Sequence, residues 1–273
     1  MRKNWLSILT GILVVAGIAL LLYPTIGQYI NSKNAAAAIS SYNTVYENTD
    51  EERRSEIIRQ AEIYNESIAG VRSPLFDPSQ VAGYNTTLDI TGTGIMGYID
   101  IDKIGVELPI YHGVAPEILQ VGAGHLEGSS LPVGGENTHC VLSGHRGLPS
   151  ARLFTDLDEL TIGDKFTITV LDRVLTYEVD QIKVVLPEEA SDLQIVNGKD
   201  YCTLVTCTPY GINTHRLLVR GIRTGSETKT PGIFVTNEAF KVDTTIVATV
   251  MAVPAFITIA VVTIVVERRK NRK

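Results

Sequence analysis

Cysteine is scarce in this sequence, with three residues among 273, at positions 140, 202 and 207. Because three is an odd number, at least one thiol has no intramolecular disulfide partner. Cys202 and Cys207 are about 16 Å apart along an extended strand and on its opposite faces, so they do not bridge each other. Cys140 and Cys202 are interpreted as small buried strand residues, and a disulfide between these two remains open.

Signals for metals and nucleic acids are also missing. None of the five histidines has metal-ligand spacing to a second histidine with a further cysteine or carboxylate nearby, so we predict no metal and no cofactor. Four histidines are interpreted as structural or surface residues: His112, His125, His139 and His215. Between Gly27 and Asp243, 17 Lys and Arg stand against 29 Asp and Glu, a net charge of −12. Such an acidic region argues against nucleic acid as a partner.

Two long runs contain no charged residue, Leu6–Tyr23 and Thr244–Val266. At about 1.5 Å per residue, each is long enough to cross a hydrocarbon core of about 30 Å as a helix. We therefore predict transmembrane helices over 5–25 and 244–266. Basic residues occur in the flanking segments 1–4 and 267–273, so the positive-inside rule predicts a multi-pass protein of the cell membrane with both termini cytoplasmic. The region between the spans is then extracellular.

Each run has an alternative interpretation. The first could be a cleaved signal peptide, with small residues for cleavage at Ala35–Ala38, but the apolar run is long and the alanines lie well beyond it. The second could be the tail of a wall-sorting signal, but no Leu-Pro-x-Thr-Gly motif precedes it. The similar letters of Leu131–Gly135 lie in the middle of the domain and indicate a turn. Both runs are therefore interpreted as retained anchors.

A helical pattern follows the first span. Thr49 and Glu52 have the spacing of a capping box, and Gly70 is a natural stop. Four apolar residues recur at helical spacing: Ile57, Ala61, Tyr64 and Ile68. We interpret 27–70 as an extracellular helical segment that packs on the next domain, with a solvated spacer as the alternative.

The region 94–225 has the pattern of short strands separated by Gly, Pro and Asp. Even spacing of such strands predicts a closed all-β barrel. The predicted strands are Gly97–Ile101, Val106–Ile110, His139–Ser143, Lys165–Val170, Val174–Val185, Tyr201–Thr206 and Arg216–Ile222. Helical turns are predicted at Pro116–Val121 and Ala151–Leu157, and 226–243 is interpreted as a polar linker.

Three reactive side chains occur at the ends of predicted strands. Cys207 ends one strand and Arg216 begins the next, so a thiol and a guanidinium can face one cleft. A thiolate is a nucleophile, and the permanently charged guanidinium can receive an oxyanion. His145, in the turn after another apolar run, supplies a candidate acid and base. The alternative for Cys207 is a buried strand cysteine without a role.

These residues lie in three motifs that resemble the sortases of Gram-positive bacteria. The motifs are Gly122–Pro132, Ser143–His145, and Thr203–Pro209 with an arginine nine residues after its cysteine. They occur in the family's order, and the resemblance covers roughly Gly97 to Arg223. It implies a sortase-type closed barrel of about eight strands, here with an N-terminal helical segment and two transmembrane helices.

The resemblance also implies an activity. Sortases are cysteine transpeptidases that cleave LPXTG-like sorting signals between Thr and Gly and hold the Thr carbonyl as a thioester, here on Cys207. An amine then resolves the thioester. The catalytic residues would be Cys207, His145 and Arg216, and Thr206 and Thr208 are predicted to contact substrate. The partners would be pilins or surface proteins that carry such signals.

The segment 71–93 indicates the class of sortase. In pilus-assembly (class C) sortases a lid with an Asp-Pro-aromatic motif covers the active site, and Asp77-Pro78 is similar, although the aromatic residue, Phe76, precedes the Asp. We therefore predict a lid at Phe76, Asp77 and Pro78, with a flexible linker as the alternative. A class C enzyme would join the product to a pilin lysine.

Other functions remain open at this point. An anchoring sortase would use a peptidoglycan amine instead of a pilin lysine, and a silent membrane-tethered scaffold for pilus assembly would use none. A papain-like protease fits less well because its cysteine precedes its histidine, whereas His145 precedes Cys207.

Overall fold

The computed structural model describes residues 3–69, 75, 77, 81–228, 252, 256 and 257. The chain forms two units, one of Met1–Ile30 with Ile233–Lys273 and one of Asn31–Gly232. The second unit contains every predicted site residue. Some predicted features lie outside the described residues: Phe76 and Pro78, most of the predicted linker 226–243 and nearly all of the predicted span 244–266.

The chain begins with a long helix, α1, over Lys3–Glu47. Its stretch Gly11–Glu47 contains a window of mean hydropathy 1.8 that is not buried, so by length and composition α1 can cross a membrane. Within the described part of the chain it is the one helix that meets this test, which a signal sequence would also meet. Pro24 lies inside α1, so the helix does not stop where the apolar run ends.

Helix α2 covers Glu51–Ala69 and packs on the barrel together with residues 31–47 of α1. Asn65 of α2 exchanges two hydrogen bonds with the backbone of Leu131, at 3.1 and 2.7 Å. The predicted packing of this segment is therefore confirmed, and the solvated spacer is excluded. The predicted capping box is wrong: Asp50 accepts the Arg53 amide at 2.8 Å, while the Thr49 hydroxyl donates back to the Val45 carbonyl.

Eight strands follow and close the predicted barrel in the order β1-β2-β3-β4-β7-β8-β6-β5. They are β1 Ile95–Ile101, β2 Val106–His112, β3 Ala123–His125, β4 Thr138–Ser143, β5 Lys165–Val170, β6 Arg173–Val185, β7 Asp200–Thr208 and β8 His215–Thr228. Strand β3 has three residues, too few for an alternating pattern to show. A short helix, α3, covers Pro116–Leu119, and a 3-10 turn covers Leu157–Glu159. Strand β8 extends six residues beyond its predicted end.

The second half of the predicted loop 71–93 is anchored to the barrel. Val81, Tyr84 and Leu88 are buried. The Tyr84 hydroxyl donates to the His125 carbonyl at 2.9 Å and accepts the Gly113 amide at 2.8 Å. Any lid is therefore confined to the residues before Val81.

All three cysteines are free. Cys140 and Cys202 are partners on β4 and β7 and are both buried, as predicted for small core residues. The disulfide that the sequence left open is not formed.

Candidate active site

Strand pairing brings the predicted nucleophile and guanidinium together. Strands β7 and β8 are antiparallel, and Cys207 is the direct partner of Arg216. Directly opposed residues of an antiparallel pair project from the same face, with Cβ atoms about 5 Å apart. His215 is the partner of Thr208 and belongs to the other face, as the alternation predicted. Cys207 and Arg216 are both half-buried.

His145 reaches the same end of the sheet because β4 and β7 are parallel neighbours. Ser143, the last residue of β4, is the partner of Val205, two residues before Cys207. Carboxyl ends of parallel strands meet at one edge, so the turn after β4 lies beside the end of β7. The Gly144 amide extends the ladder by donating to the Val205 carbonyl at 3.0 Å.

Two further bonds fix the backbone on both sides of His145. The Thr206 hydroxyl donates to the Gly144 carbonyl at 2.8 Å, and the Phe154 amide donates to the His145 carbonyl at 3.1 Å. Gly144 packs directly on the Phe154 ring, where an added Cβ would lie 2.6 Å from Cδ2. Only glycine fits this position, so the tight packing and the hydrogen bonds together hold His145.

The two threonines beside Cys207 point to the opposite face of β7. Thr206 is 2% exposed, and its hydroxyl is used by Gly144, so it presents no surface to a substrate. Its position differs from the substrate contact expected from the sequence and corresponds to a support for the His145 turn. Thr208 is half-buried, and its Oγ1 accepts a long bond of 3.5 Å from Arg146 Nη1.

The Arg216 guanidinium is oriented by the turn that precedes it. Nη1 donates to the carbonyls of Asn213 at 3.3 Å and His215 at 3.0 Å. These bonds hold the planar group against the β7–β8 turn, at the end of the strand pair that carries Cys207. The lid expected at Phe76, Asp77 and Pro78 stays a prediction.

Arg146 is a neighbour of the site that the sequence interpretation gave no role. Its side chain is 9% exposed, forms an ion pair with Asp158 and lies 5.9 Å from the centre of the Tyr210 ring. It thereby joins the His145 turn to the segment after Cys207. Its Nε is buried and has no hydrogen-bond partner among the described residues. The available signal was its place directly after His145 in the motif.

Over residues 3–69 and 81–228 no group of three or more His, Cys, Asp or Glu is arranged to hold a metal ion. The candidate site itself offers a thiol, an imidazole and a guanidinium, from Cys207, His145 and Arg216. This set can form and resolve an acyl-enzyme.

Comparison with known proteins agrees with this site. A family profile described as a sortase domain matches residues 99–224. Sortase D of Bacillus subtilis is 34% identical over 114 residues, 42% of this chain and 54% of that protein, so the match spans about half the length of this curated relative.

Two solved structures match over nearly their whole length. Sortase C1 of Streptococcus agalactiae is 51% identical, with a TM-score of 0.64, over 69% of this chain and 98% of that one. Sortase C of Streptococcus pneumoniae is 44% identical, with a TM-score of 0.65, over 71% of this chain and 99% of that one. The shared barrel, the high identity and the matched domain show that this chain belongs to the sortase family of cysteine transpeptidases, with strong similarity to class C structures.

Proposed function

We propose that this sortase cleaves an LPXTG-like sorting signal between Thr and Gly and joins the new Thr carboxyl end to a pilin lysine. The observation that supports it best is the register of β7 and β8, in which Cys207 opposes Arg216. The His145 turn is bonded to β7 at the same edge. Nucleophile, proton carrier and oxyanion donor thus come from three adjacent elements.

The first half-reaction forms a thioester. The Cys207 thiolate attacks the Thr carbonyl carbon, and the Arg216 guanidinium donates to the oxyanion that develops. The carbon–nitrogen bond to Gly breaks as the His145 imidazolium gives its proton to the leaving amine. The products are a Thr thioester on Cys207, neutral His145 and a released peptide that begins with Gly.

The second half-reaction reverses these roles. A neutral lysine amine of the acceptor attacks the thioester carbonyl, and His145 takes the proton that the amine loses. The carbon–sulfur bond breaks, the Cys207 thiolate is regenerated and an isopeptide bond remains. Water in place of the amine would give hydrolysis, so acceptor binding decides between joining and cleavage.

The pilin acceptor is supported by class. The sortase C structure from Streptococcus pneumoniae is described as informative about pilin substrate specificity. In this chain the segment before Val81 carries the candidate lid residues Phe76, Asp77 and Pro78. The apolar helix α1 suits a membrane-anchored enzyme, for which we propose a catalytic domain outside the cell. The second span over 244–266 is proposed from the uncharged run in the sequence.

The test incubates the soluble region from Asn31 to Thr228 with an LPXTG-like peptide and candidate pilins. Wild type should give an acyl-enzyme by mass spectrometry and pilin ladders that survive boiling, whereas Cys207→Ala should give neither and keep its thermal stability. Cys140→Ala is the matched control: it should retain activity but lose on the order of 1 kcal/mol of stability, because its thiol is buried. Transfer of the acyl group from Cys207 only to peptidoglycan amines would indicate an anchoring sortase. Absence of any acyl-enzyme would indicate a scaffold.

A further inference from the structure

His139 lies on the same face of the sheet as Cys207 but at the other end. In β4 it is the partner of Tyr201 in β7, and this register continues without a shift to Ser143 and Val205. Alternation places Tyr201 and Cys207 on one face, six residues or about 20 Å apart. His139 is therefore far from Cys207, although both residues lie on the same face of the sheet.

Both nitrogens of the buried His139 ring are hydrogen-bonded. Nδ1 lies 2.9 Å from the Gln194 carbonyl oxygen, and Nε2 lies 2.7 Å from Thr203 Oγ1. A carbonyl only accepts, so Nδ1 carries the proton and donates it to Gln194. In the neutral imidazole Nε2 then accepts from the Thr203 hydroxyl, so the tautomer is defined.

The bond to Gln194 fixes the middle of the β6–β7 loop, residues 186–199. The loop is also held in its middle, where Asp192 pairs with Lys183, and near its end, where the Gly198 amide donates to Asn137. On the outer face of β4 and β7, Val141 and Thr203 are buried, while Ser143 and Val205 are only half-buried. The His139 ring joins the buried Thr203 to Gln194, so the loop lies where the accessible part of the Cys207 face ends.

The accessible part has the length of a short peptide. From Thr203 to Cys207 is four residues, about 13 Å, which an extended peptide spans with about four residues of its own. A donor peptide bound along this face, with its scissile carbonyl at Cys207, would meet the β6–β7 loop about four residues ahead of the scissile bond.

We propose that His139 is a positioning residue that latches the β6–β7 loop as the end wall of the donor-peptide cleft and so sets the affinity for the segment ahead of the scissile bond. The inference rests on the proposed function. Burial lowers the pKa of His139 to about 4, so the latch is neutral under ordinary conditions.

A cavity beside the loop gives it somewhere to move when the latch is lost. This cavity, of about 440 Å³, is lined by His139, Gln194 and Ile195, and by Ile68 and Leu75 on its other side. An unlatched loop can shift into this volume without unfolding the barrel. The end wall would then be displaced while Cys207, His145 and Arg216 keep their places.

Three variants separate the latch from simple packing. His139→Phe keeps the ring against Tyr201 but loses both hydrogen bonds. His139→Asn keeps a donor near the position of Nδ1, and Thr203→Val removes only the hydroxyl that sets the tautomer. A net hydrogen bond corresponds to a factor of roughly three to ten. We expect His139→Phe to raise KM for the donor peptide about tenfold with kcat little changed. His139→Asn should bring KM most of the way back to the wild-type value. Thr203→Val should give a KM between those of wild type and His139→Phe.

Hydrogen exchange provides a readout that does not depend on activity. Amides of residues 190–198 should exchange at least about tenfold faster in His139→Phe than in wild type. Alkylation of Cys207 by a small thiol reagent should proceed at the wild-type rate. If wild type fails to cleave the peptide but the loop is unlatched in the variant, the proposed function fails and the latch stands.

Two results would overturn the latch. One is wild-type loop exchange and wild-type KM in both His139→Phe and Thr203→Val. The other is an equal fall of kcat, alkylation and stability in all three variants, which would make His139 a core residue only. Should His139→Phe not fold, Thr203→Val decides between these outcomes by the same measurements.

Discussion

At the scale of single residues, the site uses side chains whose geometry matters more than their charge. Arg216 is half-buried, its Nη1 is bonded to two carbonyls, and the residue is the direct strand partner of Cys207. A lysine ammonium has the same charge but neither the fork nor the delocalised plane. The orientation that the Asn213–His215 turn gives to the guanidinium would therefore not be reproduced.

Arg216→Lys should accordingly be nearly as damaging as Arg216→Ala. Loss of one transition-state donor typically lowers turnover by a factor of about 10²–10³. The measurement is kcat for cleavage of the LPXTG-like peptide by each variant, with Arg59→Lys as a control, since Arg59 pairs with Glu56 on the exposed side of α2. Turnover by the Arg216→Lys variant within a few-fold of wild type would mean that bulk charge suffices.

The buried His139 leads to a prediction about how folding stability depends on pH. Burial is the main cause that lowers its pKa to about 4, with Arg220 acting in the same direction and the Gln194 carbonyl, Asp180 and Asp192 opposing. The ordinary value is 6.5, so between these values the unfolded chain binds a proton that the folded one does not. The contribution of His139 to the free energy of unfolding is therefore fully present above about pH 6.5 and is lost as the pH drops toward 4.

Between pH 4 and 6.5 the slope of the free energy of unfolding against pH approaches about 1.4 kcal/mol per pH unit. Urea unfolding of the soluble region at about pH 7 and about pH 4.5 measures it. The carboxylates contribute equally to both proteins, so the difference between wild type and His139→Phe isolates the histidine. Parallel pH profiles for the two proteins would contradict the assigned neutral state.

At the scale of elements, the site depends on how the turn after β4 is held against β7. Gly144 makes this possible because glycine has no Cβ, and a Cβ at this position would clash with the fully buried ring of Phe154. The hydrogen bonds of Val205 and Thr206 then set the turn. The position of His145 is thus a property of strand packing as much as of the histidine itself.

Gly144→Ala should therefore disturb both stability and catalysis. Overpacking of this kind costs about 1–3 kcal/mol, and displacement of the turn should lower kcat by at least about tenfold. The double variant Gly144→Ala with Phe154→Leu makes room for the methyl group and should recover part of kcat. Thermal unfolding and peptide cleavage measure the two effects, and a fully active, fully stable Gly144→Ala would show that the contact is not restrictive.

The segment before Val81 is an element whose role is a prediction. Pro74 and Pro78 restrict its backbone, which lowers the entropy lost when one covering pose is held. If it covers the thiol, substrate must wait for the open fraction, and apparent affinity falls in proportion. Phe76 would shield Cys207, and Asp77 would approach Arg216.

Asp77→Ala and Phe76→Ala should therefore each speed alkylation of Cys207 by a small thiol reagent. The measurement is the pseudo-first-order rate for the soluble region. Asn85→Ala is the control, because Asn85 is exposed in the anchored half of the same segment and should have no effect. Equal rates in all four proteins would mean that the segment is a linker.

At the scale of the whole molecule, the helices stabilise the domain that carries the chemistry. Tyr42 and Tyr46 of α1 and Tyr64 of α2 are buried with barrel residues, and Asn65 is bonded to Leu131. The Tyr42 hydroxyl both donates to the Met96 carbonyl and accepts the Leu171 amide. The helical segment is therefore part of the catalytic unit.

Much of this could be predicted from local sequence. The alternation in Lys165–Val170 and the period of Ile57 to Ile68 identified the strands and the helix, and the order of the three motifs predicts the site residues. The periodic signals are carried by neighbouring residues, and backbone periodicity translates them directly into structure. The sequence by itself thus determined the types of element and which side chains are candidates for the chemistry.

The tertiary structure decided which of these elements meet. The parallel pairing of β4 with β7 joins residues some sixty positions apart, and no local pattern encodes it. That pairing makes Cys140 and Cys202, both free thiols, neighbours in the sheet and places the turn that carries His145 at the end of β7. The burial of Arg146 and the latch at His139 likewise depend on groups that distant segments supply. The physical reason is that closing the barrel fixes all strand neighbours together, through packing and hydrogen bonds that no single segment contains.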